Sequence, residues 1–327
     1  MRGNDNSLTL LQFPGDEIAA EAPCVFIDAN DSRMHADVLG LPPCALIAIG
    51  DRHGVAARLA DAVVSDRKSA AMMQASIAAN PKAAAVTVEL LRLLPSLSLT
   101  DGLVTESLAY AVLQGSEEHA KWLADQKVPA AMDPPGRVHT SRNGNALNIV
   151  MNRPDANNAI DVAMRDGLAE ALQLASIDDE ITEVHLSSRG RSFSLGAELS
   201  EFGTTRDPAV AHAIRRQTLP AIWAAQCGEK MEVHVQGACV GAGLELAAFA
   251  RRVTASPRAW FQLPELAMGL LPGAGGCVSL TRRIGRQRTA ELVLSGKRLS
   301  AREALDWGLI DAIVDGFAAD DGGSDLG

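Results

Sequence analysis

The sequence predicts an α/β protein in two unequal parts, a mainly helical front and a larger back in which strands and helices alternate. Three observations carry this prediction. Residues 69–127 are rich in strong helix formers punctuated by Pro81, Pro95 and Gly115, which divides them into three or four helices. Residues 129–137 read Pro-Ala-Ala-Met-Asp-Pro-Pro-Gly-Arg, a composition suited to a linker. Behind it, apolar runs of strand length alternate with helical stretches, as in a sheet covered by helices.

In chain order, residues 1–22 are polar and acidic with no clear period. Cys24-Val25-Phe26-Ile27 and Ala45-Leu46-Ile47-Ala48-Ile49 are short apolar runs closed by turn-type residues, as expected of buried strands. Leu59-Ala60-Asp61-Ala62-Val63-Val64 is a candidate third. Residues 1–58 are therefore expected to form an arm with short strands, and residues 59–128 a helical region. Within it, apolar residues at 86, 90, 93 and 94 define one buried stripe. The core is expected over 138–316: a strand at 146–151, a helix at 161–175 opened by Asp161, a strand at 183–187, a loop at 192–197, a long polar helix over 207–227 and a strand at 231–235. Residues 317–327 form an acidic, flexible tail.

With 327 residues, 47% of them hydrophobic and 21% charged, the chain can bury a sizeable core. A net charge of -10 and no basic block interleaved with aromatics argue against nucleic acid as a partner. The polar N-terminus, with a short apolar run at 8–13, lacks a signal-peptide core, and no other run reaches membrane-spanning length, so the cytoplasm is the expected location, with no membrane partner. The five cysteines form no Cys-x-x-Cys pair and are expected to be reduced.

A short internal repeat links front and back. Residues 59–64 match Leu309-Ile310-Asp311-Ala312-Ile313-Val314 at four of six positions, with one conservative change and one small-for-large change. The first copy runs on into some sixty helical residues, whereas the second is followed by the acidic tail.

Chemistry is expected where a glycine-rich turn meets two glutamates among apolar residues. Gln236-Gly237-Ala238-Cys239-Val240-Gly241-Ala242-Gly243-Leu244-Glu245-Leu246 places Gly241-Ala242-Gly243 between a strand and a helix. Small residues there let a ligand reach the main chain, and the N–H groups at a helix start are donors for developing negative charge. A tight turn that needs glycine only for its backbone has the same sequence. Rossmann spacing fails for want of a third glycine, and Gly296-Lys297 is followed by Arg298 where a phosphate loop needs Ser or Thr. Neither Gly-x-Ser-x-Gly nor His-Glu-x-x-His occurs, and no metal is expected. Glu245 falls on the first turn of the helix, and Glu265 follows Pro264. Two carboxylates converging in an apolar pocket can hold different protonation states, one acting as acid and the other as base. A helix cap and an arginine partner account for the same two residues equally well.

Several motifs in order resemble the crotonase, or enoyl-CoA hydratase/isomerase, superfamily over residues 141–316. Asn152-Arg153-Pro154-Asp155-Ala156-Asn157-Asn158-Ala159-Ile160 is similar to its opening signature, and Phe193-Ser194-Leu195-Gly196-Ala197-Glu198-Leu199 to its Phe-x-x-Gly-Ala-Asp-Leu loop. The glycine-rich stretch, Phe261-Gln262-Leu263-Pro264-Glu265, Leu271-Pro272-Gly273-Ala274-Gly275-Gly276 and Arg298-Leu299-Ser300-Ala301-Arg302-Glu303-Ala304 continue the likeness.

The resemblance implies a crotonase spiral of repeated ββα units that acts on an acyl-CoA without a further cofactor, coenzyme A being part of the substrate. It implies an oxyanion hole from the N–H groups of Ala197 and Ala242, formed by turns that include Gly196, Gly241 and Gly243. It further implies that Glu245 and Glu265 flank a water added across a 2-enoyl-CoA. A double-bond isomerase, a hydratase coupled to carbon–carbon cleavage and a non-catalytic acyl-CoA-binding subunit remain open. A homo-oligomer, a trimer or a dimer of trimers, is implied as well.

The sequence departs from the pattern at Ala242, where the middle glycine of the triplet is usual, at Glu198 for Asp and at Leu263 for Gln. Asn157 stands where a basic residue often meets CoA phosphates, which leaves Arg153, Arg282, Arg283, Arg286 and Arg288 as candidates. The family's closing helices are missing after 314. Stretches within 80–87, 99–106 and 116–123 resemble them, so residues 59–128 are expected to occupy their place, with Trp122 and Lys127 near the CoA.

Overall fold

The computed structural model describes residues 22–32, 41–126 and 134–315. Lys127, residues 1–21, most of the expected linker and the acidic tail lie outside these.

At the front, β1 (Cys24–Asp28), β2 (Ala45–Ile49) and β3 (Ala62–Val64) form a parallel sheet in that order. Its strands are apolar on both faces because both faces are covered. Phe26 and Ile47 enter the main core, while Ile27, Leu46 and Val63 pack in a smaller second cluster. The expected division at residue 58 thus falls inside one sheet, since β2 pairs with β3.

Four helices follow: α1 (Arg67–Ala79), α2 (Pro81–Leu93), α3 (Leu99–Gln114) and α4 (Glu117–Asp125). Asp66, Ser98 and Ser116 cap α1, α3 and α4 through their side chains, each satisfying a free N–H of the first turn. The buried face of α2 differs from the expected stripe. It consists of Ala83, Ala84, Thr87, Val88, Leu90 and Leu91, and Leu93 is 53% exposed. Alanines carry much of this face, and Thr87 is buried because its hydroxyl donates to the Ala83 carbonyl at 2.7 Å.

The back begins with a hairpin, β4 (Arg137–Asn143) and β5 (Ala146–Asn152). β4 starts at the end of the expected linker and is polar because it is the exposed edge of its sheet. Then come α5 (Val162–Ile177), β6 (Glu183–Ser188), α6 (Pro208–Thr218), α7 (Ala221–Cys227), β7 (Met231–Val235), β8 (Ala238–Val240) and α8 (Ala242–Ala247). The single helix expected over 207–227 is two helices. Leu219 is extended (φ -69, ψ 128) ahead of Pro220, which breaks the run.

The chain continues through β9 (Arg252–Ala255), β10 (Trp260–Gln262), α9 (Gly276–Ile284), α10 (Arg286–Ser295), β11 (Leu299–Ser300), α11 (Ala301–Trp307) and β12 (Ala312–Ile313). One sheet runs β12-β9-β7-β6-β5-β4, and a second runs β11-β10-β8. This α/β layering places β8, α8 and the loop before Ala197 side by side, through a bridge between Ser194 and Cys239.

The internal repeat has the same local geometry in both places. Asp61 N–H donates to Leu46 O at 2.7 Å, and Asp61 Oδ2 accepts from Leu46 N at 2.9 Å. Asp311 exchanges the same two bonds with Val253, each at 2.7 Å. Each aspartate then pairs with arginine: Asp61 with Arg92 and Arg286, Asp311 with Arg283. The bond between Arg286 on α10 and Asp61, 2.8 Å long, ties the front sheet to the back.

Candidate active site

Gly241 and Gly196 bring two turns together. Gly241 (φ 48, ψ -127) and Gly196 (φ 91) adopt backbone conformations that L side chains rarely reach. A β-carbon on Gly196 would lie 3.5 Å from both Ala242 N and Gly241 Cα, and one on Gly243 only 2.6 Å from Ser194 Cβ. The close packing of the turns therefore depends on glycine at 196 and 243. Among the described residues neither Ala197 N nor Ala242 N meets a protein acceptor, and both residues line a cavity of about 470 Å³.

Glu245 and Glu265 reach the same cavity, and both are buried. Glu245 Oε2 accepts from Ala274 N at 2.6 Å and Gly276 N at 2.9 Å. Burial raises the Glu245 pKa to about 7, with the two N–H donors limiting the rise. Burial, followed by the charges of Glu245 and Glu106, pushes Glu265 well above the ordinary carboxyl range. Among the described residues its Oε2 has no hydrogen-bond partner, while its Oε1 lies 2.8 Å from where a Gly241 β-carbon would be. Gly241→Ala therefore combines backbone strain with a clash against Glu265. Strain of about 1–3 kcal/mol is expected to lower the stability of the Gly241→Ala protein by roughly that amount, read by urea denaturation and the melting temperature.

A third carboxyl group was not anticipated from the sequence. Glu106 on α3 is buried, and it accepts from Gly275 N at 2.7 Å and Val278 N at 3.1 Å. Burial first, then the charge of Glu245, raises its pKa well above the usual range. Glu106 and Glu245 thus hold successive N–H groups of one turn, Glu245 those of Ala274 and Gly276, Glu106 those of Gly275 and Val278. The signal available in the sequence is helical spacing, since 103, 106, 107, 110 and 114 share one face of α3.

The front helices supply part of the cavity wall through Tyr110, Gln114 and His119. The Tyr110 ring lies against Gly273, where a β-carbon would come within 2.1 Å of it. His119 Nδ1 pairs with the Met268 carbonyl at 2.9 Å, and burial lowers its pKa, so the ring is neutral and donates through Nδ1. Trp122 stands behind this wall, stacked on His119 at 5.6 Å and edge-on to Phe202 at 5.8 Å.

The arginines proposed for CoA phosphates are placed otherwise. Arg153 is buried, with its guanidinium on Glu198 at 2.8 Å and Asp161 at 3.5 Å. This pairing gives Glu198 a structural role in holding the loop that carries Ala197. Arg283 clamps Asp311 and two carbonyls, Arg286 holds Asp61, Arg288 donates to Trp307 O, and Arg282 donates to Leu97 O. None of the five lines the cavity; Arg165 and Arg215 do.

Two turns whose Ala197 and Ala242 N–H groups meet no acceptor among the described residues stand beside two buried carboxyl groups, an arrangement able to stabilise an oxyanion and move protons. The enoyl-CoA hydratase/isomerase family model matches residues 141–318, and the chain belongs to this family. It is 34% identical over 175 residues to the 2,3-dehydroadipyl-CoA hydratase of Escherichia coli, covering 53% of this chain and 67% of that protein. Among solved structures it is similar to the enoyl-CoA hydratase subunit I of Geobacillus kaustophilus, with TM-score 0.50, 30% identity, and coverage of 54% of this chain and 68% of that one. An enoyl-CoA hydratase/isomerase of Mycobacterium paratuberculosis matches with TM-score 0.51 and 26% identity over 56% of this chain and 75% of that one. The crotonase fold expected from the motifs is the one found. Among the described residues no helix is long and apolar enough to cross a membrane.

Proposed function

We propose that the chain adds water across the double bond of a 2-enoyl-CoA, or removes it from a 3-hydroxyacyl-CoA. The observation that carries this reading is the unequal environment of Glu245 and Glu265 in one cavity. Glu245, with two N–H donors and the less raised pKa, is the carboxylate that takes a proton from water as its oxygen attacks Cβ. Glu265, with no donor to its Oε2, is the protonated partner that delivers a proton to Cα. The N–H groups of Ala197 and Ala242 hold the thioester oxygen as negative charge builds on it. Hydration is also the reaction in the name of the Escherichia coli relative.

The helices of residues 67–125 act as a cover over the cavity. Tyr110, Gln114 and His119 in the cavity wall, and Glu106 on the 273–276 turn, support this placement.

Incubation with crotonyl-CoA and with a 3-enoyl-CoA tests the reading. Loss of the conjugated thioester absorbance from crotonyl-CoA is the expected result, whereas consumption of the 3-enoyl ester alone identifies an isomerase. The pH profile is a second test. The rate is expected to rise through a limb near pH 7 as Glu245 ionises, and to fall at higher pH as Glu265 loses its proton. Stability moves the opposite way on the first limb. The Glu245 pKa is raised on folding from 4.5 to about 7, so its contribution is full below the lower value and lost as pH rises through the upper.

A further inference from the structure

Arg215 is a cation in the cavity wall whose protein contacts are with neutral groups. Its Nε donates to Ser107 Oγ at 3.2 Å, Nη1 to Gln114 Oε1 at 2.9 Å and Nη2 to the Ser107 carbonyl at 3.2 Å. The guanidinium also lies over the Tyr110 ring, 4.5 Å from its centre. A guanidinium carries five N–H groups, so two remain without a protein acceptor among the described residues. Gln114 is oriented for this contact, because its Nε2 donates to the Thr205 carbonyl at 3.3 Å and its oxygen is turned to Arg215. Ser107 Oγ accepts from Arg215 and shares a hydrogen bond of 2.9 Å with His212 Nδ1.

No carboxylate among the described residues lies within ion-pair distance of Arg215. This sets it apart from Arg92, Arg153, Arg283 and Arg286, each of which reaches an aspartate or glutamate. Arg165, the other arginine of the cavity, holds Asp166 at 2.7 Å. Glu106 is close enough to act on Arg215 electrostatically, but both its oxygens are taken by Gly275 and Val278. Arg215 is half-buried and lines the cavity, and a partly desolvated cation gains from a counter-charge. The Tyr110 ring under Arg215 rests on Gly273, next to the Ala274 N–H that holds Glu245. A guanidinium with two free N–H groups matches a carboxylate in geometry as well as charge.

We propose that Arg215 binds a carboxylate carried by the acyl chain, so that the substrates are CoA thioesters of α,β-unsaturated dicarboxylic acids. This rests on the reading of the cavity as an enoyl-CoA site. The competing account is that Arg215 only fastens α6 to α3.

Two esters of equal chain length separate the accounts: hex-2-enoyl-CoA, and 5-carboxypent-2-enoyl-CoA, in which a carboxylate replaces the terminal methyl group. The wild-type protein is expected to prefer the carboxylated ester in kcat/KM by roughly 10- to 100-fold, the range of a hydrogen bond to a charged group. Arg215→Met should lower kcat/KM for the carboxylated ester by that factor more than for the plain one, and Arg215→Lys should restore part of the difference. Calorimetric binding of hexanoyl-CoA against 5-carboxypentanoyl-CoA reads the same preference without turnover. Equal binding and equal turnover of the two esters by the wild type would overturn the proposal, as would an Arg215→Met variant that loses both alike. If neither ester is hydrated but the calorimetric preference is present and depends on Arg215, carboxylate binding stands and hydration falls. If hexenoyl-CoA is hydrated and no preference is seen, hydration stands and carboxylate binding falls.

Discussion

Glu265→Gln and Glu245→Gln are each expected to lower kcat for enoyl-CoA hydration by roughly 10²- to 10⁴-fold, the usual contribution of a positioned acid or base. The two losses should not multiply in the double variant, because the two groups serve the same addition of water as a unit. Their side effects should differ. In Glu245→Gln a neutral amide can still accept from Ala274 and Gly276, and the charge that raises the pKa of Glu265 and Glu106 is gone. The residual activity of this variant should therefore show an alkaline limb moved to lower pH. In Glu265→Gln a buried oxygen without a partner is replaced by an amide, so stability should change little. Equal kcat in wild type and both variants would remove the two-carboxylate mechanism.

Glu106→Ala is expected to damage stability and activity together, from a residue of the front helices. It leaves the N–H groups of Gly275 and Val278 without acceptors in the interior. At about 1–3 kcal/mol for each unsatisfied group, the loss is roughly 2–6 kcal/mol, readable by urea denaturation. The turn it holds also presents the Ala274 and Gly276 N–H groups to Glu245. Once the turn loosens, the donors that keep Glu245 ionisable are misplaced, and the acidic limb of the rate profile should move to higher pH. Glu106→Gln keeps a carbonyl acceptor and should recover part of the stability. A Glu106→Ala protein with unchanged melting and unchanged kcat would show that α3 only covers the site.

Much of the site was legible because its chemistry depends on residue types in fixed order. Gly196, Gly241 and Gly243 are constrained by backbone conformation or by contacts under 4 Å; a glycine turn alone left their purpose open, and the ordered motifs that resemble the family singled them out. The short strands β1 and β2 were legible as apolar runs, and β6 and β7 as strand-length segments alternating with helices. β4 was missed because an exposed edge has no apolar alternation to read. The buried stripe of α2 was misplaced because alanine and threonine carry much of it. The arginines misled for a further reason. Composition shows a cation but not its partner, and Arg153, Arg283 and Arg286 are held by carboxylates distant in sequence, 45, 28 and 225 residues away. Glu106 escaped notice in the same way, since its partners lie 169 and 172 residues further on.

The repeated Asp61 and Asp311 geometry gives the front of the chain a definite place. β1, β2 and β3 follow one another as β7, β9 and β12 do, parallel and in the same order. The front sheet is thus similar to the end of the core in strand order and in its aspartate contacts, and α3 and α4 carry Tyr110, Gln114 and His119 to the cavity wall.

The most direct test of the central claim is the reaction of the full chain with crotonyl-CoA in deuterium oxide, followed by mass spectrometry of the thioester. The two-carboxylate account predicts 3-hydroxybutyryl-CoA bearing one carbon-bound deuterium, at Cα, formed by the wild type and nearly abolished in Glu265→Gln. Crotonyl-CoA that binds and is recovered without hydroxyl or deuterium would contradict it.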